Sequence, residues 1–280
     1  MTLVILRTAQ NMRQIVLGWK AAGLSVGVVP TMGALHEGHL SLIAAAKGDN
    51  DRVIVTIFVN PTQFNNPADL ASYPRREEAD ADLLVKHGVD VIFAPLIDQV
   101  YPHGFASKVT VLGVSEPLEG IFRPGYFSGV ATVVAKIFSI ILPDRAYFGE
   151  KDWQQVQVIS RMSVDLNLPV QIVTCPTLRA PDGMALSSRN TRLSPAARET
   201  AAKLYPLMQD CAQAIAQGQA LGPRLLATQS ALVAAGFDQI DYFTLCDGPS
   251  LERLIAYAPN ARLLAAVWLG DVRLIDNIVA

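Results

Sequence analysis

His36-Glu37-Gly38-His39 stands directly after an apolar run and opens a helical pattern. Two imidazoles at such a place can donate hydrogen bonds to phosphate oxygens, and a helix start adds main-chain N–H groups and the positive end of its dipole. Gly38 lets the backbone come close to a ligand, and Met32-Gly33 just upstream can floor an adenine or a ribose. Histidines there could also simply cap the helix; their place between strand and helix favours the ligand. Gly149-Glu150-Lys151-Asp152 repeats the arrangement, with Lys151 set to meet a phosphate, Asp152 a candidate N-cap and Gln155 on the first turn of the following helix. Leu186-Ser187-Ser188-Arg189-Asn190 brings two hydroxyls and a guanidinium together, which suits a polyphosphate. As a flexible loop it could close over a nucleotide and exclude water; the plainer alternative is a polar surface turn. In residues 58–64 (FVNPTQF), Asn60 and Gln63 follow a buried strand, where neutral amides can orient hydroxyl and carboxylate groups.

Other polar residues carry less. His87 and His103 have no sequence partner and read as structural or exposed. Glu77, Glu78, Asp80 and Asp82 read as the solvated face of a helix, with Asp80 a candidate for a Mg²⁺ shell. No Walker-type phosphate loop, GxSxG elbow or HExxH motif is present.

These residues need elements to position them, and 280 residues with 51% hydrophobic content can bury a large core in one or two domains. A helix capped by Thr8 carries Met12, Ile15, Val16 and Trp19 at helical spacing. Strands are expected at 25–29, 53–59, 89–94, 146–148 and 170–174, and helices after 39, at 77–87, at 130–142 and from 153, with a loop rich in Asn, Pro and Gln at 60–74. Alternating strands and helices predict a doubly wound α/β domain with a parallel sheet, whose ligands sit at the carboxyl ends of the strands. Helices at 196–217 and 223–235, then strands at 240–245, 262–267 and 272–278, predict a smaller C-terminal α+β domain. The division is placed at 1–176 and 177–280, the second domain closing over the active site.

Twenty-three basic and 25 acidic residues leave a formal charge of -2. That balance argues against a nucleic-acid partner but allows a local patch for a small anion. Cys175, Cys211 and Cys246 are far apart and odd in number, as expected of free thiols in a reducing compartment. Residues 1–6 lack the basic region of a signal peptide, and the apolar run 130–142 is interrupted by Lys136 and too short to span a bilayer. A soluble, cytoplasmic protein without a membrane partner is expected.

Taken together, residues 30–39 (PTMGALHEGH), 58–64, Tyr73-Pro74-Arg75, 148–152 (FGEKD) with Gln155, and 186–190 (LSSRN) resemble the pantothenate synthetase family, in the family's order. The resemblance implies a Rossmann-like nucleotidyltransferase domain of the HxGH type, related to class I aminoacyl-tRNA synthetases, and a homodimer. It implies ATP binding by Met32, Gly33, Ala34, Leu35, His36, Glu37, Gly38, His39, Gly149, Glu150, Lys151, Asp152, Leu178, Leu186, Ser187, Ser188 and Arg189. His39, with His36 and Lys151, would be catalytic; Gln63 would touch pantoate and β-alanine, and Gln155 would hold pantoate. No residues are assigned to a resident metal. The family usually reads RPGHF where this chain has Arg123-Pro124-Gly125-Tyr126-Phe127, so Tyr126 replaces a histidine in a loop taken to lie outside the phosphate-binding set.

The implied reaction suits these residue types. A pantoate carboxylate attacks the α-phosphorus of ATP, carried with Mg²⁺, and β-alanine then displaces AMP. The protein must position two anions and neutralise spreading charge. Alternatives are a related HxGH nucleotidyltransferase acting on another small molecule, a tRNA synthetase, disfavoured by length and charge, and a nucleotide-binding regulator without catalysis.

Overall fold

The fold is described by a computed structural model over residues 3–64 and 67–280. The chain divides into two compact units, Met1–Gly149 with Gln155–Cys175, and Glu150–Gln154 with Pro176–Ala280. In the first, strands β1 (Val4–Leu6), β2 (Val26–Thr31), β3 (Arg52–Ile57), β4 (Val91–Phe93), β5 (Arg145–Gly149) and β6 (Gln171–Cys175) form one sheet. Its order is β1-β4-β3-β2-β5-β6, and every neighbouring pair is parallel. The chain builds outward from β2 through β3 to β4, then returns to lay β5 and β6 on the other side. The order therefore reverses between β2 and β5, and the crevice beyond their carboxyl ends is where such sheets bind ligands.

The strands read as unbroken apolar runs because both faces are covered. Val53 and Val55 pack on one face with Leu40, Ile43 and Leu84, from helices Glu37–Asp49 and Glu77–Lys86. Ile54 turns to the other face, against Met12, Val16, Phe138 and Ile159, from helices Ala9–Ala21, Tyr126–Ile141 and Trp153–Asp165. Thr8 caps the first of these by accepting the Asn11 N–H at 3.3 Å, as its sequence predicted. Several short elements were not foreseen. β1 is only three residues long with Val4 and Ile5 exposed, too short for a periodic signal. In the predicted loop 60–74, positions 65 and 66 lie outside the described residues, and a 3₁₀ turn (Pro61–Gln63) and a short helix (Pro67–Ser72) occupy most of the rest.

In the second unit, β7 (Gln239–Asp247), β8 (Ala261–Leu269) and β9 (Val272–Val279) form an antiparallel sheet. The predicted helix 196–217 is two, Pro195–Ala201 and Leu204–Ala216, followed by Leu221–Ala235. Leu263, Ala265, Val267 and Leu274 pack with Met208, Ile215 and Leu232. Strand alternation puts Arg262, and Asn277 opposite Leu264, on the other face of the sheet. A doubly wound parallel sheet and a smaller α+β unit are thus the architecture of this chain.

Candidate active site

The loop leaving β2 is fixed almost atom by atom. Thr31 Oγ1 accepts the Gly33 N–H at 3.1 Å. Asp80 Oδ2 accepts from Ala34 at 2.8 Å and Asp80 Oδ1 from Leu35 at 2.9 Å. Gly33 and Ala34 both have positive φ, 81° and 51°, and a Cβ on Gly33 would lie 3.0 Å from Asp80 Oδ2 and 3.2 Å from Ile57 Cγ2. His36 is the N-cap of helix Glu37–Asp49. Its Nδ1 accepts the Gly38 N–H at 3.1 Å, and His39 Nδ1 accepts the His36 N–H at 3.3 Å, a reciprocal capping box. The rings lie 4.1 Å apart between centroids. Accepting at Nδ1 requires that nitrogen to be bare, so each neutral ring carries its proton on Nε2.

This geometry bears on several expectations. The main-chain N–H groups of Gly33, Ala34, Leu35, His36 and Gly38 donate to side chains, and those of His39 and Leu40 donate to His36 O. These amides are committed within the loop and already have acceptors. The histidines both cap the helix through Nδ1. Asp80 also departs from its expected place on a solvated face. It is 4% exposed, because it shares the buried side of its helix with Leu84 one turn later, an i,i+4 spacing visible in the sequence.

Beyond β3, Asn60 is 1% exposed and saturated. Its Nδ2 donates to Gln63 Oε1 at 2.8 Å and to Gly129 O at 3.2 Å. Its Oδ1 accepts from Thr62 Oγ1 at 2.9 Å and the Tyr101 hydroxyl at 2.8 Å. Burial pushes the Tyr101 phenol above its ordinary value against the pull of those two neighbours, so it stays a donor. With Oε1 taken by Asn60, buried Gln63 keeps Nε2 as the donor end of its amide. Arg123 donates to the Gln63 main-chain oxygen at 3.2 Å, pairs with Glu119 at 3.6 Å and lies 3.5 Å over the Tyr126 ring. Tyr126 is not in a loop apart: it is the first residue of helix Tyr126–Ile141, and its hydroxyl donates to Gln155 Oε1 at 3.3 Å. Sequence reading missed Arg123 and this use of Tyr126, since nothing local announces either contact.

Of the remaining predicted residues, Gly149 ends β5 in the first unit, and Glu150–Asp152, Leu178 and Leu186–Arg189 belong to the second. Glu150–Asp152 form a 3₁₀ turn directly after β5, with Lys151 Nζ 3.5 Å from Asp152 Oδ1. Leu178 O accepts the Leu186 N–H at 3.0 Å, and Arg179 bridges to Ala185, making a tight hairpin. Ser187 caps the 3₁₀ helix Ser188–Arg192 by accepting from the Arg189 N–H at 3.3 Å. Asn190 Nδ2 ties that turn back to Ala185 O at 3.0 Å. His87 and His103 take no part in either set. Among the described residues no group of three or more His, Cys, Asp or Glu is placed to hold a metal.

Over residues 4–279 the sequence matches the model of a family described as pantoate-beta-alanine ligase. It is 54% identical over 278 residues to a pantothenate synthetase of Ruegeria pomeroyi, covering 99% of this chain and 98% of the relative. It is 57% identical over 274 residues to one of Cereibacter sphaeroides, covering 98% of each. Among solved structures, a pantothenate synthetase from Thermus thermophilus superposes with a TM-score of 0.92 at 42% identity, covering 99% of each chain. A pantoate-beta-alanine ligase from Francisella tularensis, complexed with beta-gamma ATP and beta-alanine, superposes with a TM-score of 0.83 at 37% identity, covering 99% of this chain and 97% of that one.

Proposed function

The chain belongs to the pantoate-beta-alanine ligase family, and from that membership we infer that it joins pantoate to β-alanine at the expense of ATP, releasing AMP and pyrophosphate. The observation that carries the site reading is the pair of imidazoles at the carboxyl end of β2, beside the reversal of strand order, each with its proton on Nε2. A pantoate carboxylate oxygen attacks the α-phosphorus; that P–O bond forms as the bond to pyrophosphate breaks, giving pantoyl adenylate. The amine of β-alanine then attacks the acyl carbon, the acyl–phosphate bond breaks, and AMP leaves as the nitrogen loses a proton.

No protein nucleophile is needed, because the substrate supplies one. The work left to the chain is positioning and charge neutralisation. His39 and His36 are assigned to the phosphates through Nε2–H. Lys151, with Ser187, Ser188 and Arg189, is assigned to the same anion, and residues 32–39, Gly149–Asp152, Leu178 and Leu186 to ATP as a whole. Gln63 is assigned to pantoate and β-alanine, and Gln155 to pantoate. Mg²⁺ is read as arriving on the triphosphate, where it neutralises charge and needs few protein ligands. A homodimer is proposed on the family resemblance, and a cytoplasmic location on three cysteines that are all buried and form no disulfide. No described helix is long and apolar enough to cross a membrane.

Labelled pyrophosphate should enter ATP when pantoate and Mg²⁺ are present and β-alanine is withheld, and ¹⁸O from the pantoate carboxylate should appear in AMP. Exchange that strictly requires β-alanine, or ADP and phosphate as products, would overturn the adenylate path.

A further inference from the structure

The turn that carries Lys151 is held from one buried side chain far along the chain. Asn277, on β9, is 4% exposed. Its Nδ2 donates to two consecutive main-chain carbonyls, Glu150 O at 2.9 Å and Lys151 O at 3.0 Å. Its Oδ1 accepts from Arg262 Nη1. Arg262, 7% exposed on the same face of the sheet, donates through Nη2 to Glu150 Oε2 at 2.9 Å and stacks 3.6 Å over the Trp153 ring. Trp153 Nε1 in turn donates to Gly248 O at 2.7 Å. Every one of these groups lies in the second unit.

A need for stability alone does not explain this choice of residue. A buried amide must first lose its hydration, and although an apolar side chain would leave the two turn carbonyls unpaired, separate donors or solvent could satisfy them equally well. What an amide provides is two N–H donors in one plane, here spent on successive peptide carbonyls. Holding both sets the orientation of the peptide between Glu150 and Lys151, and with it the direction in which Lys151 leaves the backbone. We propose that Asn277 is a positioning residue for Lys151, with Arg262 orienting the amide. The inference rests on the assignment of Lys151 to the phosphates.

The test is a double-mutant cycle in the full-length enzyme with Asn277→Asp, which keeps the shape and the acceptor for Arg262 but cannot donate, and Lys151→Ala. Asn277→Asp should lower kcat/KM for ATP on the order of 10²-fold, the effect of a misplaced catalytic group, with KM for pantoate unchanged. In the Lys151→Ala background the same substitution should cost almost nothing more, because it acts through Lys151. Losses that multiply in the double variant, or a folded Asn277→Asp enzyme with parental ATP use, would overturn the inference. An effect of Asn277→Asp with none from Lys151→Ala would strike the phosphate role of Lys151 and remove the inference with it. Should Asn277→Asp not fold, Asn277→Ser, which keeps one donor, takes its place. If neither folds, Asn277 is a requirement of the fold and the inference fails.

Discussion

At the residue scale, His39 uses Nδ1 for the helix, and the proposed use of its other nitrogen on a phosphate can be tested separately. His39→Ala removes both and should lower kcat roughly 10²–10³-fold, the usual loss for one donor to a developing oxyanion. It should also destabilise by about 1 kcal/mol through the lost cap interaction. In His39→Asn the side-chain oxygen can accept the His36 N–H in place of Nδ1. That variant should regain the stability in thermal melts while staying as slow as the alanine. Recovery of rate with the cap would make the imidazole structural only. Tyr126 is the second residue with a readable consequence. Its hydroxyl orients Gln155, so Tyr126→Phe should raise KM for pantoate several-fold, about 1 kcal/mol for one neutral hydrogen bond, with KM for ATP unmoved. Initial-rate kinetics in each substrate would decide it; a change in ATP use alone would refute the assignment of Gln155.

At the scale of elements, the loop after β2 takes its shape from a different helix. Asp80, on Glu77–Lys86, holds Ala34 and Leu35 in a turn that includes two positive-φ residues. In Asp80→Asn one of the two amides would face an NH₂ group instead of an oxygen. The expected cost is about 2 kcal/mol in urea unfolding, the range for a hydrogen bond to a charged group. KM for ATP should rise with it, because the same turn delivers His36. Unchanged stability would mean that the loop is shaped by Gly33 and Ala34 themselves.

At the scale of the molecule, each unit buries a group that resists losing its proton. Burial pushes the Tyr147 phenol, on β5, from 10.0 up to about 12, with nearby Asp49 adding to the rise. It pushes the Cys246 thiol, on β7, from 9.0 up to about 11. Both folded values lie above the unfolded ones, so the folded state holds these protons more tightly. That stability is complete below pH 9 and is lost as pH climbs through about 11 and 12. Denaturant unfolding at stepped alkaline pH should show the decline, with Tyr147→Phe and Cys246→Ala each flattening its own part. A parental slope in both variants would place the alkaline sensitivity elsewhere.

The sequence alone determined the alternation of strands and helices, the covered parallel sheet, the smaller α+β unit and the kinds of residue at each strand end. These are local properties: apolar periodicity, caps and motifs are written in neighbouring positions, and chemistry such as HxGH follows directly from its strand. What the tertiary structure decided lies between residues distant in the chain. Tyr126 meets Gln155 across 29 positions, Asp80 meets Ala34 across 46, and Asn277 meets Glu150 across 127. It also decided that Glu150–Gln154 join the second unit although they follow β5 without a break. Such contacts depend on strand order, register and which face of an element is buried, and those are settled only when the chain closes its long loops and packs. An aspartate in an acidic run, or an asparagine in an apolar strand, carries no mark of its partner until then.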